Sequence, residues 1–184
     1  MTCIVGIVDR INNEIIIGGD SAGVGGLDIV KRKDVKVFNK DDKFLIGFTS
    51  SFRMGQILHY CDFNVEEQSE YEDDLSFMIR KFVPSVQKLF KEHEWSKRTN
   101  DGESKGGIFI VGYKNNIYKI ESDFQVGLSH KDYESCGCGE SYALGSLYTS
   151  ENLTPEDRVM KALETAAEFS AGVCAPFNIV KMKF

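Results

Sequence analysis

Few residues of this chain can do acid–base chemistry near neutral pH. Only three histidines, His59, His93 and His130, occur in 184 residues, and imidazole is the usual general base there. A catalytic base must therefore come from elsewhere, and Thr2 offers one. It follows Met1, and a small second residue lets an initiator methionine be removed, which frees an α-amine beside the Thr2 hydroxyl. An α-amine titrates at about 7.7–8.0, so nucleophile and base can share one residue. Asp20 closes a strand expected to pair with the Thr2 strand, and Lys36 lies on a strand expected over 34–38. A lysine beside Thr2 lowers the pKa of the hydroxyl and the amine by its charge, and a carboxylate holds that lysine charged and oriented. Each residue has an ordinary alternative: a strand start, a turn aspartate, an edge lysine. It is the three in this order that point to chemistry.

Other candidates fall short. Gly19-Asp20-Ser21-Ala22-Gly23 matches the G-x-S-x-G nucleophile elbow by letter, but that motif needs a helix directly after the serine. Here Gly23-Val24-Gly25-Gly26 follows, a poor helix former. A serine-protease reading needs an Asp-oriented histidine in the N-terminal half, and no histidine precedes His59. The five cysteines, Cys3, Cys61, Cys136, Cys138 and Cys174, are odd in number, so a disulfide framework is not expected. Cys136-Gly137-Cys138 lacks a second ligand pair at zinc-binding spacing, so no metal is expected.

The elements that must position these residues come in blocks. Residues 3–8 and 14–20 read as strands joined by an Asn12-Asn13 turn. A glycine-rich loop follows, then strands over 34–38 and 43–49 around the Asp41-Asp42 turn. Ser51 is an N-cap for a helix carrying Met54, Ile57, Leu58 and Cys61 at helical spacing. After an acidic stretch, 64–74, a second stripe runs through Leu75, Met78, Ile79, Phe82, Val86, Leu89 and Phe90, with Pro84 expected to kink or split it. Residues 97–105 read as a charged loop. A hairpin over 107–113 and 117–120 turns at Asn115-Asn116, and another strand is expected near 124–128. A short helix is expected over 140–147. Thr154-Pro155-Glu156-Asp157 opens a last helix, with a stripe of Val159, Leu163, Ala166, Ala167 and Phe169 that continues to about Ala171. Residues 177–183 alternate like a final strand. Strands and helices in separate blocks predict an α+β fold with antiparallel sheets. Two helices after each strand block predict two stacked sheets with a helix layer outside each.

Length and charge narrow the class. The chain is the size of one domain, so residues 1–184 are expected to form a single unit. Asp plus Glu is 28 against 22 Lys plus Arg, a net charge of −6, which argues against a nucleic-acid backbone as partner. The sequence has no apolar run long enough to span a membrane. The first residues lack the basic flank and cleavage site of a signal peptide, so a cytoplasmic protein is expected.

The ordered set of motifs resembles the proteasome β-subunit superfamily of N-terminal-nucleophile hydrolases, and within it most nearly the HslV peptidases. The residues that carry the resemblance are Thr2, Gly18-Gly19-Asp20-Ser21, Lys36-Val37-Phe38, Ile46-Gly47-Phe48-Thr49-Ser50-Ser51 before a helix, and Gly137-Cys138-Gly139-Glu140-Ser141-Tyr142-Ala143. The resemblance covers essentially the whole chain and implies a four-layer αββα sandwich. It implies a threonine-type peptidase in which Thr2 is nucleophile and base, Asp20 and Lys36 orient it, and the Ser50 backbone N–H stabilises the oxyanion. Cys138 falls where the family has a serine near the terminal amine. Ser21, Ala22, Gly23 and Val24 would border a peptide substrate bound as an added strand. No cofactor is implied; the implied partners are peptides or unfolded proteins, further copies in a homo-oligomeric ring, and an ATP-dependent unfoldase. The chain departs from the family at Ser50, usually glycine, and at Cys138. Lys31 and Lys33 compete with Lys36, and the loop over 171–177, with Ala171, Cys174 and Phe177, falls near one that holds a monovalent cation through carbonyls in HslV. Retention of Met1 would leave Thr2 an amide instead of an amine, so a catalytically inactive proteasome-like subunit is the alternative. A hydrolase of small acyl amides is a third reading.

Overall fold

A computed structural model describes residues 1–99, 102–104 and 106–184, with the side chains of 97–99 and 102–104 left aside. Strands β1 (Cys3–Asp9) and β2 (Glu14–Gly19) form the expected hairpin, Ile4 opposite Gly19 and Asp9 opposite Glu14. Its turn is tied by the Asp9 carboxylate, which accepts the backbone N–H groups of Ile11 and Asn12 at 3.0 and 3.1 Å, an Asx arrangement that replaces ladder bonds at the bend. The glycine-rich loop expected next contains a hairpin of its own, β3 (Ala22–Gly25) with β4 (Asp28–Lys31). Its exposed residues show no apolar alternation for a sequence reading to find. Strands β5 (Val37–Lys40) and β6 (Phe44–Phe48) follow. Strand β5 starts later than expected, so Lys36 sits just ahead of the strand instead of on it. Its carbonyl still accepts the Phe48 N–H at 3.0 Å, which extends the β5–β6 register by one residue.

Helix α1 (Phe52–Tyr60) starts where expected: Ser51 accepts the Met54 N–H through its side chain. The second stripe is split at Pro84, as expected. Helix α2 (Asp74–Phe77) passes into a π turn, Met78–Phe82, and α3 (Val83–Glu92) begins with the proline in its first two positions. Pro84 has no N–H to donate, and the π turn re-pairs the backbone just before it. Ile79, expected in the apolar stripe, lies in that wider turn and is half exposed. The charged segment after it is not all loop, since β7 (Lys97–Thr99) pairs with β8 (Gly102–Ser104); the rest of that expected loop lies outside the described residues.

Strands β9 (Phe109–Tyr113) and β10 (Asn116–Ile120) are the expected hairpin. Strand β11 (Val126–Leu128) starts later than expected, because Phe124 has φ 70° and cannot belong to a strand. Strand β12 (Tyr133–Gly137) was hidden by its polar composition. Helix α4 (Glu140–Thr149) is followed by α5 (Pro155–Phe169), capped by the Thr154 side chain. Helix α5 stops short of Ala171, and Phe169 is exposed instead of packed in its stripe. Strand β13 (Asn178–Lys183) closes the chain.

The strands form two main antiparallel sheets, β12-β1-β2-β13 and β11-β10-β9-β6-β5. Period-two alternation sorts their side chains into three apolar layers. Ile4, Ile15, Ile17, Leu45 and Ile110 meet between the sheets. Cys3, Val5, Ile7 and Ile16 face α4 and α5. Phe44, Ile46, Phe48, Phe109 and Val111 face α1, the π turn and α3. That is the αββα sandwich expected from the sequence. Every residue of β1 is buried because both its faces are covered. The sheets approach closely through glycine: a Cβ on Gly47 would lie 2.5 Å from Ile4 Cγ2, and one on Gly112 2.8 Å from Ile15 Cγ2.

Candidate active site

The candidate site forms where strands of both sheets end. Sheet β12-β1-β2-β13 supplies Thr2 ahead of β1, Asp20 after β2 and Cys138 after β12. Lys36 ahead of β5 and Ser50 after β6 come from the other sheet. The Lys36 ammonium lies 2.8 Å from Thr2 Oγ1, 2.9 Å from Asp20 Oδ1 and 2.7 Å from the Ala22 carbonyl. Thr2, Asp20 and Lys36 are 2%, 1% and 1% exposed. All three ammonium protons therefore have acceptors in a dry setting, as a buried charge requires. Lys31 and Lys33 are exposed, so Lys36 is the lysine that meets Thr2.

Asp20 is held by the backbone on several sides. Its Oδ1 accepts the Cys3 N–H at 3.0 Å, and its Oδ2 accepts those of Ala22 at 2.8 Å and Cys174 at 3.4 Å. Burial pushes the Lys36 pKa below its ordinary value, and the charge and hydrogen bond of Asp20 work against that fall. The Phe52 ring lies 5.5 Å from the Lys36 ammonium, and its centroid is 4.1 Å from the Arg32 guanidinium. Phe52 was missed in the sequence because nothing in a helix's first residue says which strand end it will face.

With Met1 attached, the Thr2 nitrogen is an amide. It donates to Cys138 Sγ at 3.3 Å, and the Cys138 thiol donates to the Thr2 carbonyl at 3.4 Å. The Thr2 hydroxyl donates to the Met1 carbonyl. Gly137 makes this close approach possible. Its φ is 106°, and a Cβ there would stand 2.2 Å from the Thr2 carbonyl oxygen, so both conformation and space demand glycine. Cys138 is exposed, whereas Cys3 is buried with its thiol pushed up to about 12 by desolvation.

Ser50 is exposed and has φ 72°. That left-handed conformation favours glycine and costs a serine about 1–2 kcal/mol, so the backbone shape survives the residue change. No hydrogen bond brings Ser50 to Thr2 among the described residues. Ser21 and Ala22 are buried and structural in their contacts: the Ser21 hydroxyl donates to the Pro176 carbonyl at 2.6 Å, and its N–H to the Cys174 carbonyl at 3.0 Å. The Cys174 and Pro176 carbonyls of the loop over 171–177 thus accept hydrogen bonds from Ser21. Gly23 and Val24 are half-buried. Arg32 N–H donates to the Ser21 carbonyl at 2.8 Å, so the antiparallel alternation turns residues 21, 23 and 25 toward β4. The Val24 N–H and carbonyl face the opposite edge. No cluster of three or more metal-ligating side chains occurs among the described residues, nor does a helix long and apolar enough to cross a membrane.

No protein-family profile and no curated protein matches this sequence. Solved structures do. BPH of Thiobacillus denitrificans is 19% identical with a TM-score of 0.77, over 100% of this chain and 98% of that one. The same protein in complex with epoxomicin gives 20%, 0.76, 99% and 98%. Eukaryotic HslV from Trypanosoma brucei gives 17% and 0.67, over 100% of both chains. At such identities the likeness speaks for architecture. The layers and these neighbours agree: the chain has the proteasome-like N-terminal-nucleophile hydrolase fold that its sequence led us to expect.

Proposed function

We propose that this protein is a threonine-type peptidase, active once Met1 is removed. The observation that supports this best is the buried Thr2–Lys36–Asp20 contact chain, with Lys36 Nζ 2.8 Å from the Thr2 hydroxyl and 2.9 Å from Asp20. A buried lysine–aspartate pair aimed at a hydroxyl is a poor stability device and a good way to tune a nucleophile.

In this reading Thr2 Oγ1 attacks the scissile carbonyl carbon while its proton passes to the Thr2 amine. The carbonyl π electrons move onto oxygen, and the Ser50 N–H stabilises that oxyanion. The amine then returns the proton to the departing peptide amine as the C–N bond breaks. Water, deprotonated by the same amine, hydrolyses the ester left on Thr2. Lys36 lowers the cost of alkoxide character at Oγ1 by its charge, Asp20 keeps Lys36 charged, and Cys138 orients the Thr2 nitrogen. The peptide lies along the free edge of the strand that follows Asp20, where the Val24 N–H and carbonyl serve as partners for an added strand beside Ser21, Ala22 and Gly23. A homo-oligomeric ring, unfolded-protein substrates delivered by an ATP-dependent unfoldase and a cytoplasmic location complete the proposal.

The test is the N-terminal mass of protein from its own host, with turnover of a fluorogenic peptide by wild type and Thr2→Ala. Thr2-dependent turnover after loss of Met1 supports the proposal; equal activity in both sinks it. One observation favours the inactive-subunit alternative. Ser50 carries a side chain at φ 72°, where the resembled family usually has glycine, and that side chain narrows the cleft. Retained Met1 in host protein, without labelling by a threonine-directed electrophile, would establish that alternative.

A further inference from the structure

Strands β5 and β6 have Lys36 and Ser50 at one end and the Asp41-Asp42 turn at the other. Beside that turn, a cavity of about 630 Å³ is bordered by the β9–β10 turn and the end of β13. Its lining is of two kinds. Met182, buried, and Phe184, 42% exposed, are apolar. Lys43 and Lys114 bring positive charge. We propose that this cavity binds a small carboxylate with an apolar tail, its carboxylate at Lys43 and Lys114 and its tail against Met182 and Phe184. The proposal stands apart from the chemistry of Thr2.

Lys43 carries the argument. It is half-buried, and its ammonium lies 5.6 Å from the centroids of both the Phe44 and the Phe77 rings. Those rings each stack on Tyr113, at 5.1 and 4.8 Å between centroids, and all three are buried. The Lys114 ammonium lies 5.5 Å from the same Tyr113 ring. Two positive charges thus converge on one aromatic stack at the cavity. A ring face attracts a cation but leaves its N–H donors without a strong acceptor. Among the described residues Lys43 forms neither an ion pair nor a side-chain hydrogen bond. A partly desolvated ammonium in that state is stabilised by a carboxylate brought to it.

The acids in the lining are committed elsewhere. Asp74 accepts Gln68 Nε2 at 2.8 Å and Lys114 Nζ at 2.9 Å, and Asp42 accepts Asn39 Nδ2 at 2.9 Å. Because Asp74 offsets part of the Lys114 charge, Lys43 is the stronger anchor. The two carboxylates repel a phosphate dianion more than a single negative charge. The lysines act as point charges, without the fork by which arginine grips phosphate. A monoanion therefore suits this lining. Charge alone is a weak lure, since the whole chain carries −6. The apolar lining has to supply the rest of the affinity, which calls for a tail. The volume lies in the usual range of small-molecule sites and leaves room for an alkyl chain such as that of octanoate.

The experiment titrates the full chain with octanoate, octan-1-ol and butyrate by calorimetry, and maps octanoate on the wild type by amide chemical shifts. Octanoate should bind and shift the amides of Lys43, Tyr113, Lys114 and Phe184, leaving those of Thr2 and Lys36 in place. Octan-1-ol keeps the tail without the charge, and butyrate keeps the charge with little tail. Each should bind about tenfold or more weakly than octanoate, the scale of a charge-assisted hydrogen bond or of a few buried methylenes. Lys43→Met keeps an apolar stem and should weaken octanoate about tenfold while leaving octan-1-ol unchanged. Lys43→Arg should keep octanoate affinity. No octanoate binding, or shifts confined to another part of the molecule, would overturn the proposal. So would octan-1-ol or butyrate binding as tightly as octanoate, or a folded Lys43→Met that binds octanoate like wild type. If Lys43→Met does not fold, the three ligands and the shift map on wild type decide the matter. Peptide turnover has no part in the outcome, so this inference and the nucleophile reading stand or fall separately.

Discussion

The β1–β2 hairpin carries a charged pair at each end, and the two do different work. At the turn, Arg10 grips Asp132 through two bonds of 2.9 and 2.5 Å, with both side chains about half exposed (51% and 49%). At the other end, Lys36 meets Asp20 at 2.9 Å with side chains 1% and 0% exposed. All of these contacts are short. What separates them is water. The exposed pair fastens β1 to the loop before β12 and is screened by solvent. The buried pair cannot be relaxed by solvent, so its charge is felt at the Thr2 hydroxyl, and it is costly to leave half-made. Similar geometry is a fastener in one place and the core of a candidate site in the other.

Several changes would break or sharpen that contrast. The largest effect is expected from Thr2→Ala, which should lower peptide turnover by about 10⁴-fold or more and also lower Tm, because the buried Lys36 ammonium loses one of its acceptors, read by steady-state kinetics and thermal unfolding. Lys36→Met should also remove activity. It leaves Asp20 buried without its cation, so unfolding free energy should fall by about 3–5 kcal/mol, measured by chemical denaturation. Gly137→Ala should cost more than about 2 kcal/mol and reduce kcat, because the added methyl meets the Thr2 carbonyl at φ 106°. A smaller signature lies in pH. Burial lowers the Lys36 pKa, so if the charged lysine is needed, kcat/KM should fall on the alkaline side below the free-lysine value of about 10.4. A profile flat through that range would remove Lys36⁺ from the mechanism. The smallest effect belongs to Arg10→Ala: at most about 1 kcal/mol of stability and no change in kcat.

Much of the fold was legible because its signals are local. Ser51 and Thr154 cap the helices they were expected to start, Asn12-Asn13 lies in the first turn, and apolar runs bounded by turn residues placed most of the strands. The failures are positions that distant chain decides. Strand β12 is polar in sequence, and it is a strand because β1 offers it a register from Cys3 opposite Gly137 to Ile7 opposite Tyr133. Strand β4 is exposed throughout, so its pairing with β3 leaves no buried face for a sequence pattern to show. The candidate site was half legible. Thr2, Asp20 and Lys36 could be named from type and order, though Lys36 proved to precede its strand. Phe52 could not be named, since its contacts with Lys36 and Arg32 leave no periodic trace.

The glycine-mediated approach of the two sheets has a further consequence. Thr2 and Asp20 belong to one sheet and Lys36 to the edge of the other, so the Thr2–Lys36 contact exists only when the halves of the sandwich are docked. That docking also brings residues as far apart as Ile4 and Ile110 into one layer, a loop closure whose entropy cost slows its formation. Each half could regain its hairpins and helices and still lack the Thr2–Lys36 contact. In a refolding experiment, recovery of helical circular dichroism should therefore run ahead of recovery of the proposed peptide turnover, which would time the moment the two sheets close on each other.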